Sequence, residues 1–129
     1  MRKNLTNLTR EFFDCLQNWD YEKIKSMCHP NISWTVNAPI PFGGTYNGIN
    51  EVFRLFKKLE NEFPAGLSFT FEKIITEHPF CAVEWNDEGK RKNGLFYKNK
   101  GMSFIKYSSE GKIQQISEIV DSYSFLNLS

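Results

Sequence analysis

Two carboxyl groups near the C-terminus stand where they could move a proton. Glu118 and Asp121 lie in a segment of alternating apolar residues, and a strictly alternating strand sends positions three apart to opposite faces. Glu118 shares its parity with Ile116 and Val120, so we expect Glu118 to face the apolar interior. Burial would raise the pKa of this carboxyl group toward neutrality, which suits a general acid or base. The alternative is that both carboxylates are solvated or paired at the surface.

A histidine and a third carboxylate are further candidates. His29 precedes a proline beside the first predicted strand, so it is a candidate acid or base, although a histidine at such a turn is usually exposed. Glu84 lies in a strand that is apolar on both faces, where an isolated carboxylate is costly. Glu84 is therefore a candidate for lining a pocket, although the more ordinary expectation is a pair across the sheet with Lys98 or Lys100.

Aromatic side chains could enclose a ligand. The sequence is 16% aromatic, with twelve phenylalanines, and rings supply much of the buried area of a core or an apolar site. The candidates for a pocket wall are Trp19, Trp34, Phe42, Tyr46, Phe56, Tyr97 and Tyr123. Asn99 is placed to orient a ligand carbonyl, or to form an ordinary hydrogen bond at a strand edge. The alternative is that these rings only pack the helices against the sheet, since aromatic residues at these spacings are also typical of an ordinary core.

The periodicity of the chain predicts which elements would position these residues. Apolar residues at helical spacing predict helices over 5–19, 20–28 and 49–63. Alternating residues predict strands over 32–36, 67–76, 80–85, 95–107 and 112–123, with an irregular loop at 37–48 and a polar hairpin tip at 86–94. The last four strands should pair as an antiparallel meander, because they follow one another with short links. The prediction is an α+β fold whose bent sheet packs on the three helices and leaves a cavity.

Composition limits the classes of function. A chain of 129 residues suits one domain over 1–129, and its 16 basic and 15 acidic residues create no field for nucleic acid or an anionic membrane. The sequence has no apolar run long enough for a membrane span or a signal peptide. Its three cysteines lack disulfide or metal-ligand spacing. We therefore expect a cytoplasmic protein that uses no metal or organic cofactor.

In order and spacing, several segments resemble the SnoaL-like branch of the nuclear transport factor 2 and ketosteroid isomerase superfamily. They are Trp34, the run Gly44 to Gly48 before the third helix, Val52, Phe53 and Phe56 within it, and Gly111 to Ile113 leading to Glu118 through Asp121. The resemblance covers nearly the whole chain. It implies a cone-shaped, cystatin-like barrel of curved antiparallel sheet, a pocket for a hydrophobic small molecule and a homodimer formed across the outer sheet face. It also implies an acid or base carboxylate on the last strand, as in the polyketide cyclases.

The resemblance does not imply a single chemistry. Ketosteroid isomerase chemistry needs a carboxylate base in or just after the first strand, yet no Asp or Glu lies between Glu22 and Glu51, and the amide of Asn37 cannot act as a base. We expect the protein to bind a small hydrophobic, oxygenated molecule. Glu118 or Asp121 would then catalyse an isomerase, cyclase or lyase reaction by acid/base chemistry. The alternative is a non-catalytic dimeric domain that binds a ligand or serves as a scaffold, and a protein-transport adaptor is a third reading by fold analogy.

Overall fold

The computed structural model describes residues 4–121, in which three helices cover one face of a curved sheet. The helices are α1 (Leu5–Asp14), α2 (Tyr21–Met27) and α3 (Ile49–Glu62). The strands are β1 (Cys28–Asn37), β2 (Gly44–Asn47), β3 (Ser68–Glu77), β4 (Phe80–Lys90), β5 (Phe96–Tyr107) and β6 (Ile113–Val120). The predicted α+β class is confirmed. None of the helices in this range is long and apolar enough to cross a membrane.

Side-chain caps fix the starts of the two N-terminal helices. The Asn4 side chain accepts a hydrogen bond from the Asn7 backbone N–H, and Asp20 accepts one from Lys23. Each cap gives a partner to a helix N–H that would otherwise have none. The first helix ends earlier than its apolar spacing predicts, because a short 3-10 turn follows Asp14 and Trp19 adopts a left-handed φ of 52°.

The described strands form one mixed sheet in the order β2-β1-β6-β5-β4-β3. The predicted antiparallel meander from β3 to β6 is confirmed, whereas β1 runs parallel to β6. The parallel pair arises because the chain crosses through α3 to the far edge of the sheet and returns strand by strand beside β1. Strands β2 and β3 stand at the two edges, so the strands of residues 4–121 form an open curved sheet and do not close a barrel.

At three places the strands differ from the sequence prediction by more than one residue. Strand β1 begins at Cys28, and β2 lies inside the segment predicted as an irregular loop, where Tyr46 pairs with Trp34. Strand β4 continues to Lys90 through residues predicted as a hairpin tip. Residues 86–88 are polar, but they pair with β3 on one side and with β5 on the other. This pairing on both sides outweighs the turn preference of their composition. The predicted end of the last strand near Tyr123 lies outside the described residues.

The core fills the space between the helices and the concave face of the sheet. Phe12 of α1, Phe56 of α3 and Ile116 of β6 are almost completely buried there. The ring of Trp34 lies 5.8 Å from that of Phe12 and 5.1 Å from that of Phe56, measured between centroids. These contacts hold β1 against both helices and fix the position of the Trp34 indole.

Candidate functional site

A small cavity lies between α3 and the inner face of the sheet. Its volume is about 50 Å³. One water molecule needs roughly 10–15 Å³ of such space, so the cavity holds a few waters or a small organic molecule. Its wall consists of Leu16, Trp34, Val36, Phe42, Leu55, Phe56, Leu59, Phe63, Leu67, Phe69, Trp85, Asp87, Tyr97, Glu118 and Val120. The wall is mostly apolar, and its few polar groups therefore determine its chemistry.

Glu118 is enclosed at the cavity wall. It stands on β6 opposite Ser103 of β5, and alternation turns it inward together with Ile116 and Val120, as the sequence predicts. The Ser103 hydroxyl donates to Glu118 Oε1 over 3.3 Å, and the Trp85 indole N–H donates to Ser103 Oγ over 2.9 Å. Burial raises the pKa of Glu118 to about 8, against the lowering effect of the Ser103 bond. Both protonation states of this group are therefore accessible near neutral pH.

A second carboxyl group, Asp87, lines the same cavity and was missed by the sequence prediction. It lies on β4 in the segment taken for a hairpin tip, and it is only 7% exposed. Burial raises the pKa of Asp87 to about 7, although its own backbone N–H lowers it. The signal that could have found it is parity, since Asp87 continues the inward series of Val83 and Trp85.

Tyr97 is positioned by Asn99, two residues along β5. The Asn99 Nδ2 group donates to the Tyr97 hydroxyl over 2.7 Å and to the Asp121 carbonyl over 3.3 Å. The Tyr97 oxygen therefore accepts, and its own proton remains to be donated. Burial and the nearby Asp87 raise the pKa of Tyr97, which keeps this proton in place. Asn99 is not among the wall residues, and its hydrogen bonds to Tyr97 and to the Asp121 carbonyl match the alternative that the sequence left open, an ordinary hydrogen bond in the sheet. Contact of Asn99 with a ligand stays a prediction.

The indole of Trp34 brings a further donor to the wall. The residue is 2% exposed, and among residues 4–121 its Nε1–H finds no partner in hydrogen-bonding geometry. It nevertheless lies close enough to Glu118 to lower the pKa of that carboxyl group. The prediction that Trp34 and Phe56 line the pocket agrees with their positions in the cavity wall.

The segment before β2 closes the cavity with Phe42. The Tyr46 hydroxyl donates to the Phe42 carbonyl over 2.7 Å, and Lys58 Nζ donates to the Pro41 carbonyl over 3.1 Å. Tyr46 thus holds the segment in place and is not part of the wall. Trp19 also lies behind the wall, where its indole N–H donates to the Phe63 carbonyl over 2.9 Å.

Three predicted site residues lie elsewhere. Glu84 points to the outer face of the sheet, because alternation on β4 turns it away from Val83 and Trp85, and Asp121 is exposed beside the same outer groove. His29 lies in a separate surface groove, where its Nδ1 accepts from the Asn31 backbone N–H over 3.0 Å. The structure therefore does not bring these three residues to the cavity that Glu118 lines.

The polar groups of the wall suit proton transfer within an apolar enclosure. Glu118 and Asp87 are carboxyl groups whose pKa values burial moves to about 8 and about 7. Trp34 and Tyr97 supply donors that could stabilise a developing oxyanion. No three His, Cys, Asp or Glu side chains between Asn4 and Asp121 are placed to hold a metal ion. The expectation of cofactor-free chemistry stays a prediction.

An open sheet curved over three helices, with a carboxyl-lined cavity between the two layers, defines a protein of the nuclear transport factor 2-like class. Within that class, the family model described as the SnoaL-like domain matches residues 9–116. The chain therefore belongs to the SnoaL-like domain family, and the resemblance seen in the sequence is confirmed. No curated protein sequence matches the chain.

Solved structures share the fold at low sequence identity. A nuclear transport factor 2-like protein of unknown function from Burkholderia pseudomallei has a TM-score of 0.83 at 17% identity, with 98% of each chain covered. A putative isomerase from Rhodopseudomonas palustris has a TM-score of 0.83 at 13% identity, covering 98% of this chain and 96% of the other. A protein of unknown function with a cystatin-like fold from Xanthomonas campestris has a TM-score of 0.82 at 18% identity, with 95% of each chain covered. These similarities establish the fold alone.

Proposed function

We propose that this protein binds a small hydrophobic, oxygenated molecule in its cavity and catalyses cofactor-free proton transfer on it, as an isomerase, cyclase or lyase does. The observation that carries the proposal is the buried Glu118 carboxyl group, which lies on the wall of a mostly apolar cavity with the Ser103 hydroxyl 3.3 Å away. A carboxyl group with a pKa of about 8 can accept a proton and return it at cellular pH. A relative of the same fold is called a putative isomerase, which is consistent with this chemistry.

The proposed mechanism uses Glu118 as the base and Tyr97 as the electrophilic partner. Ionised Glu118 removes a proton from the carbon next to a carbonyl group, and the electron pair moves onto the carbonyl oxygen. The Tyr97 hydroxyl, oriented by Asn99, donates to this oxygen and stabilises its negative charge. The electron pair then returns to re-form the carbonyl group. Either a conjugated carbon takes the proton from protonated Glu118, which shifts a double bond, or the bond to a group on the β-carbon breaks and that group leaves with the proton as a new C=C bond forms. Phe42 and the other apolar wall residues shield the reacting atoms from most of the bulk water.

The alternative function is a non-catalytic domain that only binds a ligand. The small volume and mostly apolar wall of the cavity favour this alternative. The two functions differ in whether bound carbonyl compounds exchange protons at carbon, and this difference can be measured without knowing the natural substrate.

The test is hydrogen-deuterium exchange at carbon, followed by NMR in heavy water with hydroxyacetone and butanone as probes. We expect the wild-type protein to accelerate exchange next to the carbonyl, and we expect Glu118→Gln to lower the rate by about a hundredfold or more. Glu110→Gln removes an exposed carboxylate in the β5–β6 turn and should leave the rate unchanged. Undiminished exchange in Glu118→Gln would rule out Glu118 as the base. Binding without exchange in the wild type would favour the non-catalytic alternative.

We also propose that the protein forms a homodimer across the outer face of the sheet. This face exposes an apolar cluster, which we call the outer cluster, made of Ile75, Phe80, Met102, Phe104 and Ile119. Met102 stands opposite Ile119, and the ring of Phe104 lies 5.4 Å from that of Phe80, so these members lie close together. Contiguous exposed apolar surface of this kind favours association.

The cytoplasmic location expected from the sequence stays a prediction.

A further inference from the structure

Two buried polar atoms on the cavity wall have no hydrogen-bond partner within the described part of the chain. One is a donor, the Nε1–H of Trp34, and the other is an acceptor, Oδ1 of Asp87. Trp34 is 2% exposed and Asp87 is 7% exposed, and both line the same cavity. Nearly all buried polar groups in folded proteins are paired, and an unpaired one costs about 1–3 kcal/mol. Two such groups on one wall therefore indicate an occupant that pairs with both.

The charge of the wall limits what this occupant can be. Two carboxyl groups, Glu118 and Asp87, line the cavity, whereas no Lys, Arg or His is found among its described lining residues. A carboxylate or phosphate ligand would meet two acids and no cation in a medium of low dielectric, which is unfavourable. The remaining wall is aromatic and aliphatic, so it suits a compact molecule without negative charge.

The Trp34 and Asp87 groups also prescribe the functional groups of the occupant. An indole N–H can only donate, so an occupant that pairs with Trp34 must offer an acceptor such as a carbonyl oxygen, in competition with the nearby Glu118 carboxyl group. In its ionised form, which predominates above pH 7, Asp87 can only accept through this oxygen, so its partner must then carry a hydroxyl or N–H proton. Neither requirement can be met by a hydrocarbon, although the rest of the wall would admit one.

We propose that the cavity selects a small, uncharged hydroxycarbonyl compound, whose carbonyl oxygen accepts from Trp34 Nε1 and whose hydroxyl group donates to Asp87 Oδ1. This inference rests on the proposed function, because it names the substrate class of the same cavity. It places the reacting carbon of such a compound near Glu118, because the strand of Glu118, β6, lies in the sheet between β1, which carries Trp34, and β4, which carries Asp87. The chemistry remains that of proton transfer next to a carbonyl group.

The test compares the binding of four probes of similar size to the wild-type protein at pH 8, where Asp87 is mostly ionised. Hydroxyacetone carries both groups, butanone lacks the hydroxyl, isobutanol lacks the carbonyl, and pyruvate adds a negative charge. We expect hydroxyacetone to bind about tenfold more tightly than butanone or isobutanol, as the loss of one buried hydrogen bond implies. Pyruvate should bind most weakly of the four.

Indole N–H signals in a proton-nitrogen NMR spectrum give a direct readout. The Trp34 signal should move downfield with hydroxyacetone or butanone, because its N–H gains an acceptor. The Trp19 and Trp85 signals serve as internal controls, since their N–H groups already donate to the Phe63 carbonyl and to Ser103 Oγ. The wild-type spectrum alone supports or contradicts the inference, so the test does not depend on a variant that folds poorly.

Two variants separate the recognition groups. Trp34→Phe keeps a ring between Phe12 and Phe56 and should abolish the preference for hydroxyacetone over isobutanol while keeping the preference over butanone. Asp87→Ala should abolish the preference for hydroxyacetone over butanone while keeping the preference over isobutanol. Three results would overturn the inference: equal affinity for all four probes, tightest binding of pyruvate, or a Trp34 signal that does not move with any probe. The third result would indicate that ordered water alone pairs with the Trp34 and Asp87 groups.

The outcomes distinguish this inference from the proposed function. Selective binding of hydroxyacetone without exchange at carbon would refute the catalytic proposal and retain the inference. Glu118-dependent exchange that is equally fast with bound butanone and hydroxyacetone, at equal affinity, would retain the catalytic proposal and refute the inference.

Discussion

The buried carboxyl group of Glu118 makes the stability of the protein depend on pH. Its pKa rises from 4.5 to about 8 on folding, so between these values the folded state holds a proton that the unfolded state has lost. The free energy of unfolding should therefore decrease as pH rises through this window and become constant above it. The slope for one such group is at most about 1.4 kcal/mol per pH unit.

Glu118→Gln should remove this part of the pH dependence and make the protein more stable than the wild type above pH 8. Urea unfolding at a series of pH values measures the effect, and Glu110→Gln is the matched control in an exposed turn. The Glu118 carboxyl group is faced by Asp87, Ser103 and Trp34. Because burial also raises the pKa of Asp87, the free energy of unfolding of the variant should still decrease with rising pH, up to about pH 7. Parallel profiles for Glu118→Gln and wild type would contradict the expected protonation of Glu118.

Alternation along a strand predicted the inward direction of Glu118 but did not lead to the prediction of Asp87 as a cavity residue. The inward direction of Glu118 follows from its parity with Ile116 and Val120, and the structure confirms that direction. Asp87 lies among Asn, Asp, Glu and Gly residues, whose composition is typical of a turn. Parity with Val83 and Trp85 would turn Asp87 inward if the strand continued, but that continuation depends on pairing with strands on both sides, which the polar composition does not indicate.

At the scale of elements, an ion pair fastens the turn after β4 to the end of α3. Arg91 Nε donates to Glu62 Oε2 over 2.9 Å, and the Lys92 backbone N–H donates to the Glu62 carbonyl over 2.8 Å. Both side chains are largely shielded, at 17% and 8% exposure. Removing one partner of a shielded pair leaves a charge without full compensation.

We expect Glu62→Gln to lower the free energy of unfolding by about 2–3 kcal/mol, toward the low end for buried pairs because Arg91 keeps some contact with solvent. Glu11→Gln removes an ion pair of similar length whose side chains are about half exposed, and it should leave stability almost unchanged. Chemical unfolding of the two variants makes the comparison. Equal losses would show that the shielding of the Glu62 pair has no energetic consequence.

Elements with strong local periodicity were predictable, and those fixed by long-range pairing were not. Helix α3 follows its apolar spacing closely, because one face of it must be buried wherever it packs. Strand β2 lies in a segment rich in Pro and Gly, and it forms since Thr45 and Tyr46 pair with the preceding strand. The parallel pairing of β1 with β6 joins residues about eighty positions apart, which local spacing cannot encode.

At the scale of the whole molecule, the two faces of the sheet differ in what covers them. The helices cover the concave face, whereas the outer cluster lies on the convex face and is exposed in the single chain. A symmetric dimer would bring the same patch of two copies together, so each substitution in it would act twice. The inner face would be unaffected, which makes association testable without disturbing the fold.

Phe104→Glu should convert the proposed dimer into a monomer of 15.1 kDa, because a symmetric contact would then bury two carboxylates in an apolar interface. Leu95→Glu makes the same kind of change at an exposed apolar residue of the turn before β5, and this control should remain dimeric. Sedimentation velocity over a range of concentrations measures the mass, and circular dichroism confirms that both variants are folded. A wild-type protein that sediments as a monomer, or a Phe104→Glu variant that still sediments as a dimer, would require a different role for the outer cluster. Since Phe104 lies on the face opposite the cavity, exchange catalysed by Glu118 in the monomeric variant would further show that each chain carries a complete site.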